Sequence, residues 1–206
     1  EALIEDDVKR VVFADADDTF SPDRIEESAK ALAHHAVVFN EIRMDDGVGL
    51  LAGRIPAGLR VGWRDILDLN FLGLSNTAVR LDALRPHVER VGHDADVVDW
   101  PLFTRILHAG VMAFRLPVSE THYRRHPGSF AVLEATSDAA LRRAVEVKAR
   151  HYSGPEFEAR AAYFAALNAL DEAVAEWREY VKQCRAARPT RALWWEIALY
   201  PNDEDR

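Results

Sequence analysis

A short apolar run that leads directly into three carboxylates is the feature that most constrains this chain. Residues 11–14 read Val-Val-Phe-Ala, and Asp15, Asp17 and Asp18 follow within four positions. Four apolar residues bounded by a polar turn predict a short buried strand, because such a run has no solvent-facing alternation. The carboxylates then fall at the carboxyl end of that strand, which is where ligands bind in open α/β sheets.

A helix is predicted immediately after this acidic turn. Ser21 is a favourable N-cap and Pro22 suits the first helical position. Apolar residues then recur at helical spacing, at Ile25, Ala29 and Leu32. The acidic turn therefore joins a strand to a helix.

The chemistry of the turn favours a bound divalent cation. Clustered carboxylates repel one another unless a cation or a proton neutralises them. Mg²⁺ and Mn²⁺ prefer oxygen ligands of this kind. The sequence therefore predicts an Mn²⁺ or Mg²⁺ site at Asp15 and Asp17, with a solvated acidic turn as the alternative interpretation.

The remaining pattern predicts an α/β domain with a mixed sheet over residues 1–135, followed by a helical tail over residues 136–206. Further strands are predicted at residues 36–39, 49–55, 71–79 and 111–116. Helices are predicted at residues 63–69, 97–109, 138–152 and 156–185, with a helical turn at 80–84 that Pro86 stops.

Composition limits the classes of function. The net charge of −8 argues against nucleic-acid binding through a basic surface. A single cysteine, Cys184, excludes an intrachain disulfide and fits a reducing compartment, so a cytoplasmic location is expected. No apolar run approaches the roughly 18 residues of a membrane span, and no signal peptide precedes the first strand. Trp194 and Trp195 indicate packing within the tail, with peripheral membrane or partner contact through the C-terminal helices as the alternative.

Three segments carry a family resemblance. Residues 11–24 combine the strand, an Asp-x-Asp-Asp turn and the letters SPDRI; residues 73–80 place Gly-Leu-Ser-Asn before an arginine; and residues 99–110 read DWPLFTRILHAG. Residues 123–129, YRRHPGS, follow the third segment. Together, in this order, they resemble family 2 glycosyltransferases of the GT-A fold. The resemblance implies a Rossmann-like mixed sheet flanked by helices.

The resemblance also implies roles for individual residues. Asp15 and Asp17 would be the Asp-x-Asp pair that binds the nucleotide-sugar, together with Arg124. Asp17 and His126 would hold the metal, Mn²⁺ or Mg²⁺, that bridges the two phosphates. Asp99 would be the catalytic general base, which removes a proton from the acceptor hydroxyl in an inverting transfer. The alternative for Arg124 and His126 is a purely structural role, in which they close the edge of the sheet.

The chain departs from the family pattern at its start. The family places about three strands before the Asp-x-Asp turn, and they build the pocket for the base; ten residues precede Val11 here. Three alternatives follow: the chain is a fragment, another segment or chain (a homo-oligomer included) supplies the strands, or nucleotide binding is lost. The Gln-x-x-Arg-Trp signature of processive members is absent, which argues against a polymer-making synthase.

Two other classes stay open. The same turn resembles the Asp-x-Asp-x-Thr motif of haloacid-dehalogenase-like phosphatases, in which Asp15 would be the nucleophile and Asp17 the general acid. Against this, the second strand ends in Asn40 where that family has Ser or Thr, and no lysine lies between Lys30 and Lys148. The third class is a non-catalytic binding or assembly module.

Overall fold

The structure, a computed structural model, describes residues 8–44, 47, 49–51, 54–89, 97–124, 137–152, 157–187 and 193–201. The chain divides into two compact units. One comprises Glu1–Asp94 and Val98–Arg125, and the other Ala95–Val97 and His126–Arg206. This division falls ahead of the boundary at residues 135 and 136 that the sequence predicts.

The first unit is built from short strands and helices. In chain order they are β1 (Arg10–Val12), β2 (Thr19–Phe20), α1 (Arg24–Ala31), β3 (Val37–Met44), β4 (Arg60–Val61), α2 (Trp63–Ile66), a 3₁₀ helix (Leu74–Asn76), β5 (Thr77–Arg80), α3 (Leu81–Val88), α4 (Asp99–His108) and β6 (Ala113–Tyr123).

The strands of this unit form one mixed sheet of six strands, in the order β1-β5-β3-β6-β2, with β4 paired to β6. β5 is antiparallel to both of its neighbours, and β3 is parallel to β6. β1, β3 and β6 therefore run in the same direction and β5 runs against them. The structure confirms an α/β unit with a mixed sheet flanked by helices, which is compatible with a Rossmann-like fold.

The strand directions decide which residues meet at one edge of the sheet. The carboxyl ends of β1 and β6 and the amino end of β5 all lie at that edge. The acidic turn follows β1, Arg124 follows β6, and the 3₁₀ helix precedes β5. Residues far apart in sequence are therefore brought to the same edge.

One apolar cluster and one buried hydrogen bond fix the helices that matter for this edge. α1 continues into Leu32, which packs with Val38, Ala78 and Leu116 in one core cluster. Burying apolar side chains of this size contributes about 1.5–3 kcal/mol each. Trp100 of α4 is fully buried, and its indole Nε1 donates to the carbonyl of Ile66 at 2.7 Å, which ties α4 to α2.

The predicted helix start, with Ser21 as N-cap and Pro22 as first helical residue, is wrong by two residues. α1 begins at Arg24, and its N-cap residue Asp23 makes no side-chain capping bond. Ser21 instead pairs with β6: its N–H donates to the Glu120 carbonyl at 3.0 Å, and its Oγ accepts from the Glu120 N–H at 2.9 Å. The hydroxyl that would cap a helix is used to extend the sheet.

The predicted strand over residues 71–79 is also shorter than expected. Its polar centre forms the 3₁₀ helix, and β5 begins only at Thr77. The amide of Asn76 donates to the carbonyls of Asn40 and Phe71, both at 3.1 Å. These bonds satisfy carbonyls that strand pairing would otherwise have to satisfy.

Two other local predictions fail. In place of a returning strand at residues 49–55, the described residues there form only an isolated bridge between Arg43 and Gly49. Pro86 does not stop a helical turn, since it lies inside α3, which continues to Val88.

The second unit is helical in its described part. It contains α5 (Asp138–His151), α6 (Glu158–Asn168), α7 (Ala175–Ala187) and a 3₁₀ helix (Trp194–Glu196). The single long helix predicted for residues 156–185 is wrong, because the chain turns between α6 and α7, where the Asp171 carboxylate accepts the Ala173 N–H at 2.7 Å.

Aromatic rings pack with two cationic side chains in this unit, the half-buried Arg142 and the buried Lys148. The Arg142 guanidinium lies 3.5 Å from the Trp177 ring centroid, and Lys148 Nζ donates to the Ala198 carbonyl at 2.7 Å. Trp195 is buried, which agrees with the packing interpretation of the tail. No helix in the described part of the chain is both long and apolar enough to cross a bilayer.

Candidate functional site

The acidic turn is held in place by a serine from the next element of the sheet. Asp15, which is exposed, donates its backbone N–H to Ser75 Oγ at 3.0 Å. The same hydroxyl donates to Asp15 Oδ2 at 2.8 Å. Because one hydroxyl accepts from the backbone and donates to the carboxylate of the same residue, it fixes both the turn and the carboxylate direction.

The second half of the turn is held from β6. The backbone N–H of Arg124 donates to Asp18 Oδ1 at 3.1 Å, and its Nε donates to the Asp17 carbonyl at 3.0 Å. Arg124 therefore lies directly beside the turn. Its guanidinium binds the backbone of the turn in this structure, and its predicted contact with a nucleotide-sugar stays a prediction.

Asp18 is the buried carboxylate of the turn. It is 8% exposed, and its Oδ2 has no hydrogen-bond partner among the described residues. Burial raises the pKa of Asp18, and the neighbouring charges of Asp17 and Asp15 raise it further, against the polar contacts from Ser75 and Arg124. A buried oxygen without a partner, in a cluster of like charges, favours a nearby cation or a proton.

Arg24 supplies a positive charge beneath the turn. It is 2% exposed, and its guanidinium donates to the Phe13 carbonyl at 2.7 Å and to Asn40 Oδ1 at 3.0 Å. Burial lowers the pKa of Arg24 to about 10, although Asp18 and Asp15 oppose that shift. Arg24 is therefore still a cation at neutral pH, and it offsets part of the negative charge above it.

A buried polar network continues from Arg24 to the 3₁₀ helix. Asn40 Nδ2 donates to Thr121 Oγ1 at 2.9 Å, and this hydroxyl donates to the Ser75 carbonyl at 2.8 Å. All three residues are buried. A satisfied network of this kind holds its members in one arrangement. It therefore fixes the serine that positions Asp15.

Asp99 is the first residue of α4 and is partly buried. Its Oδ1 accepts the backbone N–H of Trp100 at 2.8 Å and the Asn70 amide at 3.2 Å. Burial raises the pKa of Asp99 to about 6, and the charge of Asp15 contributes to the rise, whereas the bonds from Trp100 and Asn70 oppose it. Desolvation outweighs the stabilisation of a carboxylate that is expected at a helix N-terminus.

One short segment contacts both carboxylates. A Cβ atom added to Gly73 would lie 3.3 Å from Asn76 Oδ1 and 3.6 Å from Asp99 Oδ2. Two residues later, Ser75 binds Asp15. The segment from Gly73 to Asn76 therefore links Asp15 to Asp99. A side chain at position 73 would crowd the amide oxygen of Asn76 and would make ordinary van der Waals contact with the carboxylate of Asp99.

The structure thus brings Asp15, Asp17, Asp99 and Arg124 to one edge of the sheet. His126, the second predicted metal ligand, lies outside the described residues. Asp94 and Asp96, the next candidates for a base, also lie outside them.

Sequence reasoning missed three residues of this edge: Arg24, Asn40 and Asn70. Asn70 is a single polar residue inside the apolar stretch Leu-Asn-Phe-Leu, and Asn40 directly follows the apolar run Val-Val-Phe. This contrast is the signal that could have found them. Arg24 gave no such signal, because an arginine in the first turn of an amphipathic helix is typical of a solvent-exposed face.

The carboxylates alone do not form a complete metal cage. Among the described residues, no three His, Cys, Asp or Glu side chains are grouped so as to hold a metal ion. Mg²⁺ commonly binds through one or two carboxylates together with substrate phosphates and water. The exposed Asp15 and the half-buried Asp17 fit that mode, with the unpartnered Asp18 oxygen close by in the same turn.

Comparisons with known proteins do not identify a family for this chain. No family model matches the chain, and a search of curated proteins finds no match either.

Proposed function

We propose that this chain is a metal-dependent, GT-A-like glycosyltransferase, which transfers a sugar from a nucleotide-diphosphate sugar to an acceptor hydroxyl with inversion. One observation carries the proposal. The segment from Gly73 to Asn76 binds Asp15 through Ser75 and lies against Asp99, so a candidate metal ligand and a candidate base face one edge of the sheet.

The carboxylates divide into two roles. Asp17, with Asp15 beside it, would hold Mn²⁺ or Mg²⁺ against the diphosphate of the donor, and His126 remains a proposed further ligand. When bound, the cation supplies neutralisation of the charge that develops on the leaving diphosphate. Ser75 and Arg124 hold the turn in one conformation, which limits the reorganisation that donor binding requires.

Asp99 would act as the general base. Its carboxylate takes the proton of the acceptor hydroxyl while the hydroxyl oxygen forms a bond to the anomeric carbon and the bond from that carbon to the diphosphate oxygen breaks. A pKa of about 6 suits this role, because the group is mostly ionised at neutral pH yet more basic than an ordinary carboxylate. The bond from Asn70 orients the carboxylate.

The contacts of Asn40 favour a transferase over the phosphatase alternative. In that alternative the residue at the end of the second strand would bind phosphate. Asn40 is 1% exposed, and its amide is already used by Arg24, Thr121 and the Glu41 carbonyl. It is therefore a structural residue of the sheet with no donor left for a ligand.

Calorimetry with Mn²⁺ and a nucleoside diphosphate tests the proposal. The parent chain should bind the diphosphate only when Mn²⁺ is present, and Asp17→Ala should weaken that binding at least tenfold. Asp23→Ala is the matched control, since Asp23 is exposed, is close in sequence and makes no side-chain capping bond. Equal affinity in the parent and in Asp17→Ala would reject the metal assignment.

A second measurement separates an enzyme from a binding module. Release of nucleoside diphosphate from a panel of nucleotide-sugars, with simple sugars and alcohols as acceptors, should be metal-dependent in the parent chain. Metal-dependent binding without release from any donor would favour the non-catalytic module instead.

A further inference from the structure

A second concave surface lies at the opposite end of β1 from the acidic turn. It is an open groove of about 550 Å³ between the start of β1, the end of α1 and the junction of β5 with α3. All of these elements belong to the first unit. Small-molecule sites in proteins are typically about 300–1,000 Å³ in volume.

Basic side chains line this groove. Lys9, Arg10, Arg80 and Arg85 contribute to its wall, and Asp82 is the one acidic residue among the described residues of the lining. Arg80 is paired with Asp82, with Nε donating to Oδ1 at 3.0 Å.

The other three cations of the groove have no side-chain partner among the described residues. Lys9, Arg10 and Arg85 are exposed and form no side-chain hydrogen bond or ion pair with the described residues. The chain as a whole carries a net charge of −8, so this cluster runs against its overall composition.

The pairing of β1 with β5 places two of the groove's cations opposite each other. Arg10 lies directly opposite Arg80 in the antiparallel register. Like charges that face each other across a strand pair are destabilising. Asp82 offsets one of these two charges, and an anion in the groove would offset the other.

The floor of the groove is apolar. Leu32 is 2% exposed and Leu81 is 6% exposed, and both line the groove. An apolar floor bounded by guanidinium groups matches a ligand with a ring or an alkyl part and a phosphate part, because guanidinium groups bind phosphate oxygens in pairs.

We propose that this groove binds a small phosphorylated molecule, with its phosphate groups between Arg10 and Arg85 and its apolar part against Leu32 and Leu81. The site is separate from the acidic turn and needs no metal ion, so it does not depend on the glycosyltransferase proposal.

Calorimetry in the presence of EDTA tests this site alone, since the acidic turn cannot hold an anion without a cation. The probes are inorganic phosphate, pyrophosphate and phenyl phosphate. Pyrophosphate should bind more tightly than phosphate because it carries more charge, and phenyl phosphate should do so because its ring contacts the floor. Phenyl phosphate that binds no more tightly than phosphate would overturn the role of Leu32 and Leu81.

The double variant Arg10→Gln/Arg85→Gln should weaken pyrophosphate binding at least tenfold. Arg60→Gln is the matched control, because Arg60 is also an exposed arginine at the first position of a strand and lies outside the groove. Thermal melts that match the parent show that the variants are folded. Binding that is equal in the parent and in the double variant would overturn the proposal.

One further outcome would show that the groove binds acidic residues of the chain itself. Residues 5–7, Glu-Asp-Asp, precede the groove in sequence. The parent chain should bind pyrophosphate with these residues intact. Binding that appears only after they are changed to Gln-Asn-Asn would overturn the proposal, because the groove would then serve the chain's own acidic residues.

Discussion

The two ends of β1 and β5 are opposite in charge and in the way their charges are held. At one end, the carboxylates of Asp15, Asp18 and Asp99 each accept at least one hydrogen bond from a fixed donor. At the other end, Lys9 and Arg10 line a groove and have no such partners within the described part of the chain. Both ends belong to the same two strands. They differ mainly in how deeply their charged groups are buried and in how these groups are hydrogen-bonded.

The difference shows what a charged cluster needs if it is to keep one geometry. At the acidic end, burial raises the pKa values of Asp18 and Asp99, and the charge of Asp15 adds to both shifts. Hydrogen bonds from Ser75, Arg124 and Asn70 set the positions of the carboxylates there. Exposed arginines at the basic end keep their rotational freedom and adapt to a ligand. A preorganised site suits catalysis, whereas an adaptable site suits binding. The experiments below test this contrast, from the largest expected effect to the smallest.

Loss of the Asp99 carboxylate should have the largest effect. Asp99→Asn keeps the size of the side chain and an oxygen that accepts the Trp100 N–H, but it cannot take a proton. We expect metal-dependent transfer to fall by about 10²–10⁴-fold, the usual contribution of general-base catalysis. Release of nucleoside diphosphate measures the rate, and calorimetry should show unchanged binding of Mn²⁺ with the nucleoside diphosphate.

The stability of Asp99→Asn is the control. The folded pKa of Asp99 lies near 6, above the ordinary value of 3.8, so the folded state binds the proton more tightly than the unfolded state does. The contribution of Asp99 to the stability of the parent should therefore fall as the pH rises from about 4 to 6. At pH 7 the variant should melt no lower than the parent. A variant that transfers sugar at the parent rate would move the role of base to Asp94 or Asp96.

The pH dependence of transfer gives the next largest effect. Because the base must be ionised, the rate should rise through a pKa of about 6 and then level off. The Asn70 amide donates to Asp99 and lowers its pKa, so Asn70→Ala should move the midpoint of the profile to higher pH. A midpoint that does not move would show that Asn70 has no influence on the ionisation that limits the rate.

Much of the acidic end could be predicted from the sequence because its signal is local. An apolar run followed by Asp15, Asp17 and Asp18 marks a strand end, and a strand, the turn and the following helix are present in the structure. The strand is shorter than predicted and only half-buried, because β1 ends at Val12 and is the first strand in the order of the sheet. The start of that helix was misplaced because Ser21 suits both a cap and a strand partner. Only the pairing of β6 with β2 decides between these, and pairing is not a local property.

Local sequence patterns could not predict that Ser75 and Asp15 meet at one site. Their contact depends on β5 entering the sheet between β1 and β3 in the antiparallel direction, which carries Ser75 to Asp15 across 60 positions of sequence. The basic end was missed for the same reason, since Arg10 and Arg80 are ordinary surface residues until the register places them opposite each other.

Removal of the buried cation should destabilise the acidic end strongly. Arg24→Met keeps an apolar stem but leaves the Phe13 carbonyl and Asn40 Oδ1 without their donor. We expect a loss of about 3 kcal/mol in the free energy of unfolding, which is typical when one partner of a buried charged group is removed. Urea unfolding measures this loss. Arg64→Met, at an exposed arginine, should stay within about 0.5 kcal/mol of the parent.

The serine that positions Asp15 should matter less to stability than to cation binding. Ser75→Ala removes both hydrogen bonds to Asp15, which should cost about 1 kcal/mol of stability and about 10–100-fold in affinity for Mn²⁺ with a nucleoside diphosphate. Ser119→Ala is the matched control, because Ser119 is also buried and its Oγ has no partner among the described residues. Equal affinities in the two variants would show that the hydroxyl of Ser75 does not position the carboxylate.

The smallest effect, a change in melting temperature, is expected at the basic end. Its sign should depend on whether the solution contains pyrophosphate. Arg10→Gln removes one of two like charges that face each other, so it should raise the melting temperature slightly at low ionic strength. The rise should vanish in about 1 M NaCl, where charges are screened within about 3 Å. In pyrophosphate the order should reverse, because the parent is stabilised by an anion that the variant binds less well. Arg85 faces no cation across a strand pair. Arg85→Gln should therefore melt below the parent in pyrophosphate, without melting above it at low ionic strength. If Arg10→Gln melts above the parent in pyrophosphate as well, the charges at this end repel each other but do not form an anion site.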